Sequence, residues 1–317
     1  MENKQKYRAF CSQRSDIPLF HQDWWLDIVT SGRWDVIFSA DNNDLIKAVM
    51  PYTWSEKYFN TLAIQPLLTP YLGILFFYPP DILKNTSVYS FENEHAYEII
   101  RQFPKRFLYQ CFNFRPDFKN WYSFYFNNYY QTTRYTYILN NIKNHEIIWS
   151  GFTNTLRRQI KSAENEFIVS VTDDYRIVFD LMKNSLIKKN VRWPLKEKML
   201  ADIDKELDSR QMRKILVCKN KDGSIISGVY LCFDKKMAFL LGIGMDKRQD
   251  SGNSVKLLIW ESIKLASQFV NSFDFEGSMV PGVERLYRSF GAEMTPYFVI
   301  KKYKNKLVRL LLNFINK

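Results

Sequence analysis

A loop of small and charged residues in the second half of the chain has the composition of an anion-binding turn. Residues 247–254 read Lys-Arg-Gln-Asp-Ser-Gly-Asn-Ser and lie between a predicted strand, Met237–Ile243, and a predicted helix, Ser254–Val270. Small residues let the backbone approach a ligand closely, and the free N–H groups and dipole at a helix start favour an anion. Lys247 and Arg248 add positive charge. The junction predicts a pyrophosphate site, with an ordinary loop capped by Ser or Asn as the alternative.

A carboxylate and a tyrosine follow that could move protons. Ser272–Glu276 is predicted as a strand whose alternation places Asp274 and Glu276 on one face. A carboxylate at the end of a strand can serve as a general base, or it can be a solvated partner of Arg285. Tyr287 lies on a short predicted helix, Gly282–Phe290. It can act as a proton donor, or it can be a tyrosine of the core.

The order of the predicted elements around these residues indicates a mixed α/β fold. In the second half, the predicted order is helix, strand, two helices, three antiparallel strands, helix, strand, helix and strand. This order lacks the regular βαβ alternation of a doubly wound sheet. The hairpin of Arg213–Lys219 and Ile225–Phe233, which turns at Asp222-Gly223, is the clearest local signal. One helix is predicted over Ile147–Ala163, and the domain boundary is predicted near residue 145.

Composition and motifs narrow the classes of protein. The chain of 317 residues is 46% hydrophobic and 25% charged, which is typical of a globular protein. Four cysteines and three histidines are scattered without paired spacing, so neither a disulfide framework nor a metal site is predicted. The sequence has no Gly-x-Ser-x-Gly elbow, no Gly-x-Gly-x-x-Gly fingerprint and no phosphate-binding P-loop.

Net charge is concentrated in the second half of the sequence. Residues 1–150 carry 15 Lys/Arg against 14 Asp/Glu, whereas residues 151–317 carry 30 against 19. The second half is therefore predicted to bind an anionic partner, for which CoA, phospholipid, a nucleotide-linked substrate and tRNA all qualify.

The loop resembles the acyl-CoA loop of the GNAT superfamily, [Gln/Arg]-x-x-Gly-x-[Gly/Ala]. This chain has Gln249-x-x-Gly252-x-Ser254, with Ser at the last position. The segment 286–292, Leu-Tyr-Arg-Ser-Phe-Gly-Ala, is similar to the aromatic-Tyr-x-x-x-Gly-Phe segment of these enzymes, with Ala292 in place of Phe.

Residues 273–278 and 282–291 further resemble the Fem-like branch, which includes peptidoglycan peptidyltransferases. Residues 18–34, 65–73 and 134–139 resemble the first domain of these two-domain proteins. The resemblance implies tandem GNAT-like domains with mixed sheets. Residues 1–145 would form a degenerate, structural or acceptor-binding domain, and residues 146–317 would form the domain with the acyl-donor site and a basic C-terminal helix.

The resemblance also implies a reaction, in which an amine attacks the acyl group of acyl-CoA, such as acetyl-CoA. Glu276 would be the base and Tyr287 the acid. The remaining implied site residues are Lys247, Arg248, Gln249, Ser251, Gly252, Asn253 and Ser254 for the donor, and Ser278, Glu284 and Arg285 for the acceptor. The acceptor would be an amino sugar or another amine of a bacterial envelope or polysaccharide precursor, and no metal is implied.

Two alternatives to this function stay open. One is a Fem-like peptidyltransferase that uses aminoacyl-tRNA on a peptidoglycan precursor, which the basic second half would suit, although no long helical arm is recognised in the second domain. The other is a catalytically degenerate GNAT pair that acts as a binding module. DNA is not an expected partner.

The end of the chain is basic and apolar. Residues 301–317 hold six Lys/Arg and no acidic residue, interleaved with Leu, Val, Phe and Ile. They predict a helix that contacts a membrane surface peripherally through 303–317, or one that docks on its domain. With no signal peptide recognised, we expect a cytoplasmic protein, at the inner membrane face if the helix binds lipid.

Overall fold

The structure, a computed structural model, describes residues 2–55, 61–82, 84–187, 190–246, 248, 252–277, 279 and 281–315. The described chain forms two compact units. The first contains Met1–Arg134 and Pro296–Lys317, and the second contains Tyr135–Thr295. The division into functional domains at residues 1–145 and 146–317 is still a prediction.

Both units contain helices and strands. From the N-terminus to residue 126 they are α1 (Glu2–Gln13), a 3-10 helix (Leu19–His21), α2 (Asp23–Thr30), β1 (Trp34–Ala40), β2 (Ile46–Thr53), β3 (Leu62–Ile64), β4 (Leu75–Phe76), α3 (Asn85–Gln102), β5 (Tyr109–Asn113) and α4 (Tyr122–Phe126). The rest are β6 (Tyr130–Asn140), α5 (His145–Gly151), α6 (Asn154–Glu166), β7 (Ile168–Thr172), α7 (Tyr175–Ile187), α8 (Glu197–Ser209), β8 (Arg213–Lys219), β9 (Ile225–Phe233), β10 (Met237–Met245), α9 (Asn253–Ala266), β11 (Ser272–Asp274), α10 (Pro281–Ser289), β12 (Glu293–Tyr303) and α11 (Lys306–Ile315).

The first unit packs an aromatic core around small sheets. Strands β1, β2 and β4 form one antiparallel sheet. Strand β5 pairs in parallel with β3 and antiparallel with the 299–303 part of β12. Tyr7, Trp25, Trp34, Phe114 and Phe124 are all fully buried, so many of the chain's aromatic residues serve as core.

The second unit is built on a mixed sheet with the strand order β6-β11-β10-β9-β8-β7. Strands β10 and β11 are parallel, whereas the pairs β6–β11, β10–β9, β9–β8 and β8–β7 are antiparallel. Helix α7 packs on a face where glycine replaces side chains, because a Cβ on Gly244 would lie 2.5 Å from the Leu181 Cβ. The mixed sheet confirms the predicted fold class.

One predicted helix is wrong in its extent. The apolar spacing over 147–163 predicts a single helix, but the structure has α5 and α6 with a break at Phe152, whose ψ of 146° is extended. The Thr153 hydroxyl accepts a hydrogen bond from the Leu156 N–H at 3.3 Å and so starts a new helix.

No helix in the described ranges combines the length and the apolar character that a bilayer-spanning segment needs.

A buried histidine in the first unit connects its stability to pH. His21 is fully buried in the 3-10 helix, and the Tyr7 hydroxyl donates to its carbonyl oxygen at 2.7 Å. Burial, together with the positive charge of Arg115, lowers the pKa of His21 to about 3, with a smaller opposing effect of Asp117. The folded protein therefore keeps this imidazole neutral while the unfolded chain can protonate it.

The free energy of unfolding should therefore fall as the pH decreases below about 6.5, the ordinary pKa of histidine. In this range the unfolded state binds one more proton at His21, which costs up to about 1.4 kcal/mol per pH unit. We expect His21→Gln to have a shallower pH dependence than the original chain in urea unfolding at pH 5, 6 and 7. Identical slopes for the two proteins would contradict a neutral buried His21.

Candidate active site

Helix α9 begins at an open, glycine-capped turn. Gly252 has a φ of +101°, in the left-handed region that favours glycine, and α9 starts at the next residue. Among the described residues, no atom lies within 4 Å of the position a Cβ would take on Gly252. The first N–H groups of α9 thus have an approach that no Gly252 side chain obstructs, as an anion site requires.

Ser254 stands where the GNAT loop has Gly or Ala, and its hydroxyl is turned into the fold. Its side chain is fully buried, and its hydroxyl accepts a hydrogen bond of 2.9 Å from the Ser227 hydroxyl of β9. The extra oxygen is therefore accommodated by the sheet. The Ser254 hydroxyl therefore does not obstruct the backbone at Gly252.

Two charged residues near the start of α9, Arg248 and Lys256, hydrogen-bond to neighbouring side chains. The Arg248 guanidinium forms a bidentate ion pair with Asp246, at 3.0 and 2.7 Å, so an anion must compete with this carboxylate. Lys256, which is not among the predicted site residues, donates to the Asn253 side chain at 3.0 Å in the first turn of α9. Its ammonium group therefore lies near the positive end of the helix dipole.

The carboxyl ends of β10 and β11 lie at the same edge of the sheet. Because the strands are parallel, Met237–Phe239 pairs with Ser272–Asp274 in the same direction. β11 ends at Asp274, while β10 continues to Met245, after which the chain leads to α9. Glu276 and the start of α9 therefore lie towards this one edge, where ligands of α/β sheets commonly bind.

A buried carboxylate shapes the turn after β11. Asp274 is fully buried and accepts hydrogen bonds from the Thr136 hydroxyl and, at 2.8 Å, from the Glu276 N–H. Glu276 and Gly277 then both adopt positive φ, at 57° and 62°. A Cβ on Gly277 would lie 2.3 Å from the Tyr135 carbonyl oxygen, so only glycine fits.

This turn removes Glu276 from the solvated position that strand alternation offers. Its Oε1 atom is buried and has no hydrogen-bond partner in the described part of the chain, although other parts of the residue are partly exposed. Burial and, secondarily, the charge of Asp274 raise the pKa of Glu276 well above its ordinary value. This buried oxygen does not form the ion pair with Arg285 that was the alternative interpretation of Glu276.

Tyr287 lies beside the same turn. It is 6% exposed, and its ring centroid is 4.8 Å from that of Phe275, the residue before Glu276. Burial raises the pKa of Tyr287 well above its ordinary value, and the charges of Glu276 and Asp274 raise it further. The phenol therefore stays protonated at neutral pH, which is the state a proton donor needs.

Glu284 and Arg285, the predicted acceptor residues on α10, differ in their surroundings. The Glu284 carboxylate accepts from the Tyr137 hydroxyl at 2.9 Å and from the Arg288 guanidinium at 2.8 Å, and these bonds lower its pKa. Arg285 is exposed. The structure brings Glu276, Glu284 and Tyr287 into one neighbourhood, since Tyr137 bonds Glu284 and its ring lies 6.5 Å from that of Tyr287.

Four predicted site residues, Lys247, Gln249, Ser251 and Ser278, lie outside the described residues. The structure adds Thr136, Tyr137, Asp274 and Lys256 to the predicted set. Strand alternation marks Asp274 as a partner of Glu276, but Thr136 and Tyr137 precede it in sequence by more than 130 residues. Only the pairing of β6 with β11 brings them together.

The residues that the structure describes contain no group of three or more His, Cys, Asp and Glu side chains arranged to hold a metal ion. A cleft of about 170 Å³ lies elsewhere in the second unit, between α7 and α8. It is lined by Tyr175, Arg176, Phe179, Asp180, Lys183, Trp193, Leu195, Glu197 and Leu200, none of them a predicted site residue.

The sequence and the structure of the whole chain were compared with those of known proteins. No protein-family model and no curated protein matches the sequence. FemX has a similar structure, with a TM-score of 0.59, 12% identity and coverage of 93% of this chain and 95% of its own.

L-PGS from Bacillus licheniformis is similar with a TM-score of 0.56 at 13% identity, over 99% of this chain and 97% of its own. A tandem GNAT protein from the clavulanic acid biosynthesis pathway is similar with a TM-score of 0.52 at 10% identity, over 96% and 95%. The chain has the Fem-like, GNAT-type fold that its sequence motifs predict.

Proposed function

We propose that this protein is an acyltransferase that moves an acyl group from acyl-CoA, such as acetyl-CoA, to an amine. The observation that carries the proposal is a buried carboxylate, Glu276, beside a buried tyrosine, Tyr287, at the sheet edge from which α9 begins. An amino sugar or another amine of an envelope or polysaccharide precursor is the acceptor class we favour.

In the proposed reaction, Glu276, Tyr287 and the start of α9 each have one role. The amine nitrogen attacks the thioester carbonyl carbon and loses its proton to the Glu276 carboxylate, whose raised pKa makes it a stronger base than an ordinary carboxylate. The carbon–sulfur bond breaks, and Tyr287 donates its proton to the leaving thiolate. The positive end of α9, with Gly252, Asn253 and Lys256, holds the CoA phosphates.

An aminoacyl-tRNA donor is the second candidate, because the resemblance to the Fem-like branch implies it and FemX is among the similar structures. One observation weighs against it. Among the described helices of the second unit, the longest is α9 with 14 residues, so this part of the chain has no long helical arm. A degenerate binding module is the third candidate.

The donor is tested by thermal unfolding with acetyl-CoA and, in parallel, with aminoacyl-tRNA. A ligand of the native state at a hundredfold excess over its Kd adds about 2.7 kcal/mol, which raises Tm by roughly 5 °C or more. We expect this shift with acetyl-CoA, and we expect Gly252→Val to abolish it.

Gly32→Val is the matched control, because Gly32 also has positive φ (79°) and open space around it, but lies in the first unit. It should keep the shift with acetyl-CoA. A salt-sensitive shift with aminoacyl-tRNA alone would indicate that aminoacyl-tRNA, and not acyl-CoA, is the donor. No shift with either ligand would favour the binding module.

The proton-transfer roles are tested by the pH dependence of CoA release in the presence of amino-sugar acceptors. We expect kcat/KM to rise with pH through an apparent pKa above the ordinary carboxyl range, as Glu276 ionises. Glu276→Gln should remove this rise and lower the rate by about 100-fold or more, and Tyr287→Phe should lower the rate while retaining the rise. Unchanged rates in either variant would remove that residue from the mechanism.

Stability gives a second readout for Glu276 that needs no acceptor. Because its folded-state pKa is raised, the unfolded state releases this proton first, and stability falls as the pH rises above about 4.5. Glu276→Gln removes this cost, so its advantage in Tm over the original chain should grow from pH 5 to pH 8. Glu164 is exposed on α6, so Glu164→Gln should show no such trend. If Glu276→Gln also showed no growing advantage in Tm, the raised pKa of a buried Glu276 carboxyl would be contradicted.

A further inference from the structure

The apolar face of helix α11 points away from the first unit. Leu307, Leu310 and Leu311 are 65%, 68% and 55% exposed, and their spacing of three and four places them on one face. Arg309 lies about 200° around the helix from Leu307, and its guanidinium stacks 4.2 Å from the Tyr130 ring. Since the Arg309 side rests on the protein, the leucines face outward.

A second group of exposed apolar side chains lies on α4. Tyr122, Tyr125 and Phe126 are 58%, 59% and 61% exposed, and their rings contact one another at centroid distances of 4.5 Å (Tyr122–Phe126) and 5.2 Å (Tyr125–Phe126). Three exposed aromatic rings in a helix of five residues carry far more apolar surface than a solvated turn needs.

Contacts around β6 connect these two groups. A tight turn follows α4, in which the Tyr129 N–H donates to the Phe124 carbonyl at 3.0 Å. The next residue, Tyr130, is 42% exposed and contacts both Arg309 and the ring of Tyr303, which precedes α11. We call the exposed residues of α4 and α11, with Tyr130 between them, the aromatic–leucine patch.

The two sequence segments that form the aromatic–leucine patch carry only positive charge. Residues 118–134 and 294–317 contain eight Lys/Arg and no Asp or Glu. At the average content of 33 acidic residues in 317, about four would be expected in segments of this combined length. Lys304, Lys306 and Arg309 are all exposed around the start of α11.

We propose that the first unit binds anionic membrane surfaces through the aromatic–leucine patch. Outward leucines on a short amphipathic helix suit the boundary between headgroups and acyl chains, and tyrosine rings suit the headgroup level. The Lys and Arg residues of the two segments match the negative charge of anionic lipid. This surface belongs to the first unit, so the proposal is independent of the acyl donor of the second.

The test is co-sedimentation of the full chain with vesicles of phosphatidylcholine alone and with one quarter phosphatidylglycerol. We expect binding to the anionic vesicles at 50 mM NaCl, little binding to the neutral ones, and a decrease of about tenfold or more at 500 mM NaCl. Leu310→Glu with Leu311→Glu, and separately Tyr125→Ser with Phe126→Ser, should each weaken binding about tenfold or more.

Ile147→Glu is the matched control, because Ile147 is 65% exposed on α5 of the second unit. It should bind vesicles as the original chain does, and circular dichroism and Tm establish that each variant is folded. Binding that ignores lipid charge, or that the patch variants leave unchanged, would overturn the proposal. A wild-type chain that binds no vesicles but dimerises through the leucines in sedimentation velocity would assign the patch to a second copy of the chain.

Discussion

The buried carboxylate of Asp274 fixes the turn on which the candidate site depends. It accepts from the Thr136 hydroxyl and from the Glu276 N–H, and so holds the chain in two successive left-handed conformations at Glu276 and Gly277. Leaving a buried carboxylate without these donors is costly, so the turn has little freedom. As a consequence, the Oε1 atom of Glu276 is buried and has no hydrogen-bond partner among the described residues. Burial raises the pKa of the neighbouring Tyr287, and the charge of Glu276 raises it further.

Sequence patterns predict the elements of this site better than its contacts. The hairpin of β8 and β9 follows from Asp222-Gly223, and the start of α9 directly after Gly252 follows from the small residues that precede it in the sequence. The burial of Glu276 could not be predicted, because strand alternation ends at Asp274 and the positive φ of Glu276 depends on a distant Thr136. Similarly, the break between α5 and α6 depends on a cap at Thr153 that competes with a continuous apolar spacing.

The distribution of charge also changes when the chain folds. By sequence, the excess of positive charge belongs to the second half, but the basic residues after Thr295 belong to the first compact unit. The first unit then carries 20 Lys/Arg against 13 Asp/Glu, and the second carries 25 against 20. Both compact units therefore carry an excess of positive charge, which suits the two anionic partners that we propose, an acyl donor at the start of α9 and a lipid surface beside α11.

Hydrogen–deuterium exchange with and without acetyl-CoA tests most directly whether the edge of β10 and the start of α9 form the donor site. Bound CoA would cover the first N–H groups of α9 and the part of β10 that extends beyond its pairing with β11. We predict slower exchange in peptides covering residues 240–256 and little change in the first unit. Protection confined to other segments, under conditions in which acetyl-CoA raises Tm, would contradict this placement of the site.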